Sequence, residues 1–265
     1  MSDDSVPVIE LFVRAAPSSR SDREPGLVGQ QWIMVLRMLE QKHLIHLRIV
    51  PTSFDNPPAN YKSLGSARLL PIAWIESGQL NGADAKGTVI SSSGGLEVLM
   101  AKLGCANLDP SLKEEDVRAA ERISQDLYSD LMHYIKNNNS KRLLVGLKNL
   151  NEYLASSPGH YMLGDQISYV DCQLMPKLQH IRVAGGAYKQ FDIPEDLSYV
   201  WEYISRMYQS EVFLFSCPTD RDMLMHYDEK DPLPKEIRPG LLGPEILRDI
   251  PSGVHRPRED GDTSG

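Results

Sequence analysis

Strand-like patterning in this 265-residue chain stops near Asp109, and the apolar spacing beyond it is helical. A run of strands followed by a run of helices implies two units side by side. In the first, Val8-Ile9-Glu10-Leu11-Phe12-Val13 is a β-branched and aromatic run between Pro7 and the polar segment Pro17–Pro25, the pattern of a buried strand. From Gln30 to Gln41, Ile33, Val35, Leu36 and Leu39 recur at helical spacing around Trp32 and Met34. "LIHLRIV" then alternates, with Ile45, Leu47 and Ile49 on one face and His46 and Arg48 on the other. "LLPIAWI", residues 69–75, reads as another strand, Thr88-Val89-Ile90 as its hairpin partner and Leu96–Leu103 as a closing helix. The order is therefore βαβ, then ββα.

After Asn107-Leu108-Asp109-Pro110 the spacing predicts long helices over 112–136 and 141–155, with further helices from 160 to 227. Residues 6–108 and 109–227 are read as two domains. From Asp228 to the end the chain is rich in Pro and Gly without periodicity, and a disordered tail is expected there. The sharpest local signal is "GDQISYVDCQLMPKL". Ser168 and Asp171 have capping-box spacing, and Ile167 can staple onto Cys172. Thr219 and Asp222 repeat the box; both read as folding devices.

A net charge of -8 opposes nucleic-acid backbones, so no nucleic-acid partner is expected. Met1-Ser2-Asp3-Asp4-Ser5 is acidic and unlike a secretory signal, which points to the cytoplasm. Cys105, Cys172 and Cys217 are widely separated with no zinc-like spacing, and read as reduced, buried thiols. His43-x-x-His46 lacks further ligands at metal spacing and reads as an exposed polar face, so no metal is expected. His180 reads as a packing histidine. No stretch supplies the roughly 20 apolar residues of a conventional span.

The βαβ-ββα unit, a thioredoxin-like N-terminal domain, followed by an all-α C-terminal domain with the G-x-x-[ST]-x-x-D cap, resembles the glutathione transferase fold. "DCQLMPKLQHIRVAGGAYKQFDIP" and "SCPTDRDMLMHY" resemble the C-terminal domain of the chloride intracellular channel family, particularly its invertebrate members, and "VIELFVRA" and "QQWIMVLRML" agree with it. The resemblance implies a protein that can associate with or insert into intracellular or plasma membrane and conduct chloride, as a homo-oligomer in the membrane, without strong transferase activity. It places the family's reactive cysteine at Gly26 and a second cysteine of some members at Gly29, so no catalytic residue is expected. It also assigns Leu70, Pro71, Ser92 and Ser93 to a glutathione site that is weak if it binds at all. Ser92 or Ser93 read from the residues alone is a helix cap, and Pro71 a fold requirement.

"PGLVGQQWIMVL", residues 25–36, is thus a former redox turn with its core helix, and the first half of the span that the resemblance sets at about Leu27–Arg48. Leu27, Trp32 and Arg37 are the candidate insertion or pore residues. Arg37 and Lys42 facing lipid would cost about 2.5–3.5 kcal/mol each at the centre of a lone helix, so a conductance needs them to line water. His43 and His46 offer an acid-responsive pair. A scaffold or ligand-binding protein that keeps the fold without the chemistry is the alternative function.

Overall fold

The first strand, β1 (Val8–Arg14), is buried from Ile9 to Val13, so it lies inside a sheet covered on both faces. In the computed structural model, which describes residues 6–19, 21–65, 69–109, 111–157, 159–229, 232–235, 246–252 and 254, it has two neighbours. β2 (His46–Thr52) runs parallel to it, and β3 (Ile72–Ser77) antiparallel. The sheet is completed by β6 (Val89–Ile90), giving the order β2-β1-β3-β6. The expected βαβ-ββα order is present. β2 is an edge strand, and the alternation read from "LIHLRIV" is visible in the buried Ile45 and the exposed His46 and Arg48.

β1 distributes its side chains to two cores. Ile9, Leu11 and Val13 join the main core with α1 (Leu27–Gln41). Phe12 points the other way, packing edge-to-face on Tyr61 of α2 (Ala59–Ser63), with ring centroids 5.5 Å apart. Glu10, on that same side, accepts from the Asn60 amide. Two small elements were not legible in the sequence: α2, and a hairpin of β4 (Gln79–Leu80) and β5 (Ala83–Asp84) inside the loop before β6. α3 (Ser93–Lys102) closes the unit, followed by a 3-10 turn at Ala106–Leu108.

The remaining elements are helices, as the patterning requires. The helix expected over 112–136 is two, α4 (Glu114–Ser124) and α5 (Leu127–Asn137). The break coincides with the Ser124 carbonyl accepting from Lys177 Nζ at 3.0 Å, a long-range bond invisible to local periodicity. α6 (Lys141–Ser156) follows, then α7 (Tyr169–Lys189), α8 (Ser198–Met207), α9 (Glu211–Ser216) and α10 (Asp220–Asp228). α7 is the central helix, buried through most of its length. Its Ser168–Asp171 capping box forms: Asp171 accepts from Ser168 N at 2.7 Å, Ser168 Oγ at 2.6 Å and Met162 N at 3.0 Å.

Part of the tail corrects the expectation of disorder after Asp228. Ile246, Leu247 and Ile250 pack on the main core and Val254 is buried. Leu247 is held by both backbone groups, its N–H donating to Asp220 and its carbonyl accepting from Gln179, each at 3.0 Å. These few apolar residues in a Pro- and Gly-rich segment supply enough burial to fix it where α7 and α10 offer polar anchors. The rest of that expectation, apart from residues 232–235, lies outside the described residues.

Candidate functional site

The N-terminus of α1, the centre of the sequence argument, lies at one end of the sheet together with the other expected site residues. β1 meets β3 with Phe12 opposite Ile72, and β3 meets β6 with Ala73 opposite Ile90. These registers bring the loop after β1, the Leu70-Pro71 peptide before β3 and Ser92-Ser93 after β6 to a common edge. The Leu70-Pro71 bond is cis. Ser92 is the N-cap of α3, its Oγ accepting from Gly95 N at 3.1 Å, so this hydroxyl already has a local role.

Gly26 is the N-cap of α1 and Gly29 lies in its first turn. What fills the space beside them is Glu24, which the sequence reading passed over. A Cβ on Gly29 would fall 2.1 Å from the Glu24 carboxyl, and one on Gly26 3.1 Å from its Oε1. The carboxyl therefore lies against the helix end in the place a larger residue at 29 would occupy. Glu24 Oε2 accepts from Arg14 N at 3.0 Å, and the residue is buried. Burial pushes its carboxyl up from 4.5 to about 7, the Arg14 N–H and charge resisting. A helix N-terminus favours an anion, and α1 has no acidic residue in its first turn, so Glu24 supplies one from outside. Chemically the end of α1 presents a carboxyl near neutrality and no nucleophile. The only prior signal was an acidic residue just before a Pro-Gly turn.

The insertion candidates sit along the same helix, where α1 packs on α7 and α9. Leu27 opens α1 half-buried, and Trp32 is buried with its indole Nε1 lacking a hydrogen-bond partner among the described residues. Arg37 is engaged rather than free. Its Nε and Nη2 donate to Glu211 Oε1 at 3.2 and 2.7 Å, its Nη1 donates to Glu40 at 2.5 Å, and its guanidinium stacks 4.6 Å from the Phe215 ring centroid. Gln41 donates to the same Glu211. A single cation thus ties α1 to α9. His43 and His46 are exposed and share with Arg37 and Glu40 the lining of a surface cavity of about 360 Å³.

A second seam joins the loop after β1 to α10. Asp222 Oδ1 accepts from Ser18 N at 2.7 Å, Ser18 Oγ at 2.8 Å and Ser19 N at 3.2 Å, and its Oδ2 from Ser19 Oγ at 2.6 Å and Thr219 Oγ1 at 2.9 Å. Thr219 caps α10 as expected, its Oγ1 accepting from Asp222 N, but the Asp222 carboxylate turns chiefly to the distant loop. The second capping signal therefore belongs to a tertiary contact. Arg14 and Glu229 pair at 2.6 Å along the same seam.

The remaining candidates are structural. Cys105, Cys172 and Cys217 are free and buried, and burial pushes each thiol upward, away from a reactive thiolate. His180 bonds Tyr227 Oη at 2.8 Å, and burial pushes its imidazole down to about 3, so it stays neutral. No group of metal-ligating side chains occurs among the described residues, and none of their helices is long and apolar enough to cross a membrane.

Comparison with known proteins bears on this geometry. Residues 141–206 match the family model for the glutathione S-transferase C-terminal domain. The chain is 28% identical to the chloride intracellular channel Clic of Drosophila melanogaster over 94% of its own length and 92% of that protein's. Among solved structures it superposes on the chloride intracellular channel homologue EXC-4 of Caenorhabditis elegans with a TM-score of 0.77 at 24% identity, covering 93% of this chain and 95% of that one. The dehydroascorbate reductase of Chlamydomonas reinhardtii has the same fold, with a TM-score of 0.61 at 17% identity over 84% of this chain and 98% of that one. The fold is glutathione-transferase-like, a mixed α/β sheet part followed by a helical part, and the chain resembles chloride intracellular channel proteins along nearly its whole length.

Proposed function

We propose that this chain is a chloride intracellular channel-like protein: a cytoplasmic form with the fold described above, able to associate with intracellular or plasma membrane and conduct chloride there as a homo-oligomer. The observation that carries the reading is the likeness to the Drosophila chloride intracellular channel over 94% of the chain. The α1 seam gives it a physical route. α1 buries Gln30 Oε1 and Trp32 Nε1 without hydrogen-bond partners among the described residues, each unfavourable by about 1–3 kcal/mol. A helix that leaves such atoms unsatisfied loses less on leaving its core. Once released, Leu27 and Trp32 bring apolar surface to the bilayer. Arg37, freed from Glu40 and Glu211, becomes a cation able to attract chloride along a water-lined path.

In this reading the protein is not an enzyme. Gly26 stands where the family's reactive cysteine would, and the buried Glu24 carboxyl lies beside it, disfavouring a thiolate at that position. Glutathione, if held through Leu70, Pro71, Ser92 and Ser93, would meet the same carboxyl. That feature favours one alternative, a non-channel scaffold or ligand-binding protein.

The test is chloride efflux from liposomes after adding the purified full chain, at neutral and mildly acidic pH. Arg37→Glu alone would also break the contact with α9, so it is paired with Glu211→Arg, which restores an opposite-charge contact while reversing the charge on α1. Efflux whose anion selectivity changes in the double variant supports the channel reading with Arg37 in the path. Efflux with unchanged selectivity removes Arg37 from it, and no efflux at any pH from a folded chain favours the scaffold.

A further inference from the structure

Asp222 is fully buried, and four of the five side-chain and loop donors to its carboxylate come from two consecutive residues, Ser18 and Ser19, about two hundred positions earlier. A carboxylate buried this way depends on those donors, because removing them leaves an uncompensated charge in a low-dielectric interior. The two serines differ in access. Ser18 is half-buried, whereas Ser19 is exposed although its hydroxyl makes the shortest bond to Asp222, 2.6 Å. A surface hydroxyl thus completes the solvation of an internal charge.

We propose that Ser19 is a phosphorylation site, and that phosphoryl transfer to its Oγ releases the loop after β1 from α10. The modifying enzyme is a serine kinase that uses a nucleoside triphosphate and recognises carboxylates on the C-terminal side of its target; Asp22 stands three residues on. In the reaction Ser19 Oγ forms a bond to the γ-phosphorus, the bond from that phosphorus to the bridging oxygen of the departing nucleoside diphosphate breaks, and the hydroxyl proton leaves to the kinase base. The product can no longer donate to Asp222 Oδ2. It places a phosphate of about -1.5 to -2 charge against a carboxylate that cannot move into water without disrupting α10. Repulsion removes Ser19, and Ser18 with it, since both lie in one short segment. The Arg14–Glu229 pair on the same seam loses its support.

Acid is a poor substitute for this switch. Burial works to raise the Asp222 carboxyl, but the bonds from Ser19, Ser18 and Thr219 outweigh it and hold the group below its usual range, so mild acid leaves the carboxylate charged. A covalent charge at Ser19 acts where a pH change does not. The proposal does not depend on the conductance reading.

The test uses the purified full chain, an acid-directed serine kinase and ATP, with peptide mass spectrometry to assign sites and hydrogen exchange to read the seam. Trypsin cleaves at Arg20 and so separates Ser19 from Ser21. The expected result is phosphate on Ser19, none at that position in Ser19→Ala, and exchange at residues 15–19 and in α10 faster by at least about tenfold, the effect of losing one charge-assisted hydrogen bond. Ser19→Glu, which needs no kinase, should loosen both segments in the same direction, whereas Ser19→Ala should change them far less because Ser18 and both backbone donors remain. Phosphate confined to Ser21, or none, overturns the site. Phospho-Ser19 or Ser19→Glu with unchanged exchange overturns the latch.

Discussion

Replacing Glu24 by Gln should make the protein more stable at pH 8 and leave it nearly unchanged in acid. The folded-state carboxyl titrates near 7 against 4.5 when unperturbed, chiefly because it is buried. Between those values the folded chain holds a proton that the unfolded chain has released, so stability falls as pH rises from about 4.5 and levels off above about 7. The gap corresponds to about 3 kcal/mol at pH 8. The ionised carboxylate recovers part of this from the N-terminus of α1, an effect of up to about 2 kcal/mol, so the expected gain for Glu24→Gln is about 1–3 kcal/mol. The Gln carbonyl keeps the acceptor for Arg14 N, so that bond is not lost with the charge. Urea unfolding followed by circular dichroism at pH 5 and pH 8 measures the difference, and each kcal/mol should also move Tm by about 2–4 °C. A difference between variant and wild type that is the same at both pH values, or a Gln variant weaker than wild type at pH 8, would refute the burial argument. The sign bears on function too: Glu24 makes the folded form firmer on acidification, so an acid trigger would have to come from elsewhere, such as His43 and His46.

Two further outcomes follow from the same seam and site. Arg37→Ala and Glu211→Ala should each destabilise the fold by about 1 kcal/mol, since the side chains are 28% and 55% exposed and solvent weakens the pair. The double-mutant cycle should show a coupling of about 0.5–1 kcal/mol, and additivity would mean the contact with α9 contributes nothing. Gly26→Cys should react slowly with iodoacetamide at pH 7, because the new Cβ lies 3.1 Å from Glu24 Oε1 and a neighbouring carboxylate disfavours a thiolate. Adding Glu24→Ala should raise the rate about tenfold or more as α1 stabilises the thiolate, and equal rates would show that Glu24 does not control that position.

Much of this architecture is written locally. The alternation of "LIHLRIV", the apolar spacing after Gln30 and the Ser168–Asp171 box each depend on neighbours within a few positions, and each is present in the structure as read. The paired glycines at 26 and 29 were equally visible, but only as missing side chains. Where a helix breaks or a side chain turns depends on distant partners, and there the patterning failed. Lys177 ends α4 by taking the Ser124 carbonyl, and Leu247 finds Asp220 and Gln179 in a segment whose composition suggested no order. The Thr219–Asp222 spacing was recognised as a cap, yet its carboxylate serves a loop near the other terminus. Glu24 drew no notice because nothing in a sequence reports burial of one acidic residue in a polar loop. The sequence by itself determined which segments are strands and helices and what could not stand at the end of α1. Only the docking of the helical part against the sheet decided that Glu24 fills that space, that Arg37 clamps α9 and that Ser19 solvates Asp222. Backbone hydrogen bonding and amphipathic period are short-range and repeat along the chain, whereas a buried charge takes its partners from whatever surfaces the packed helices bring to it.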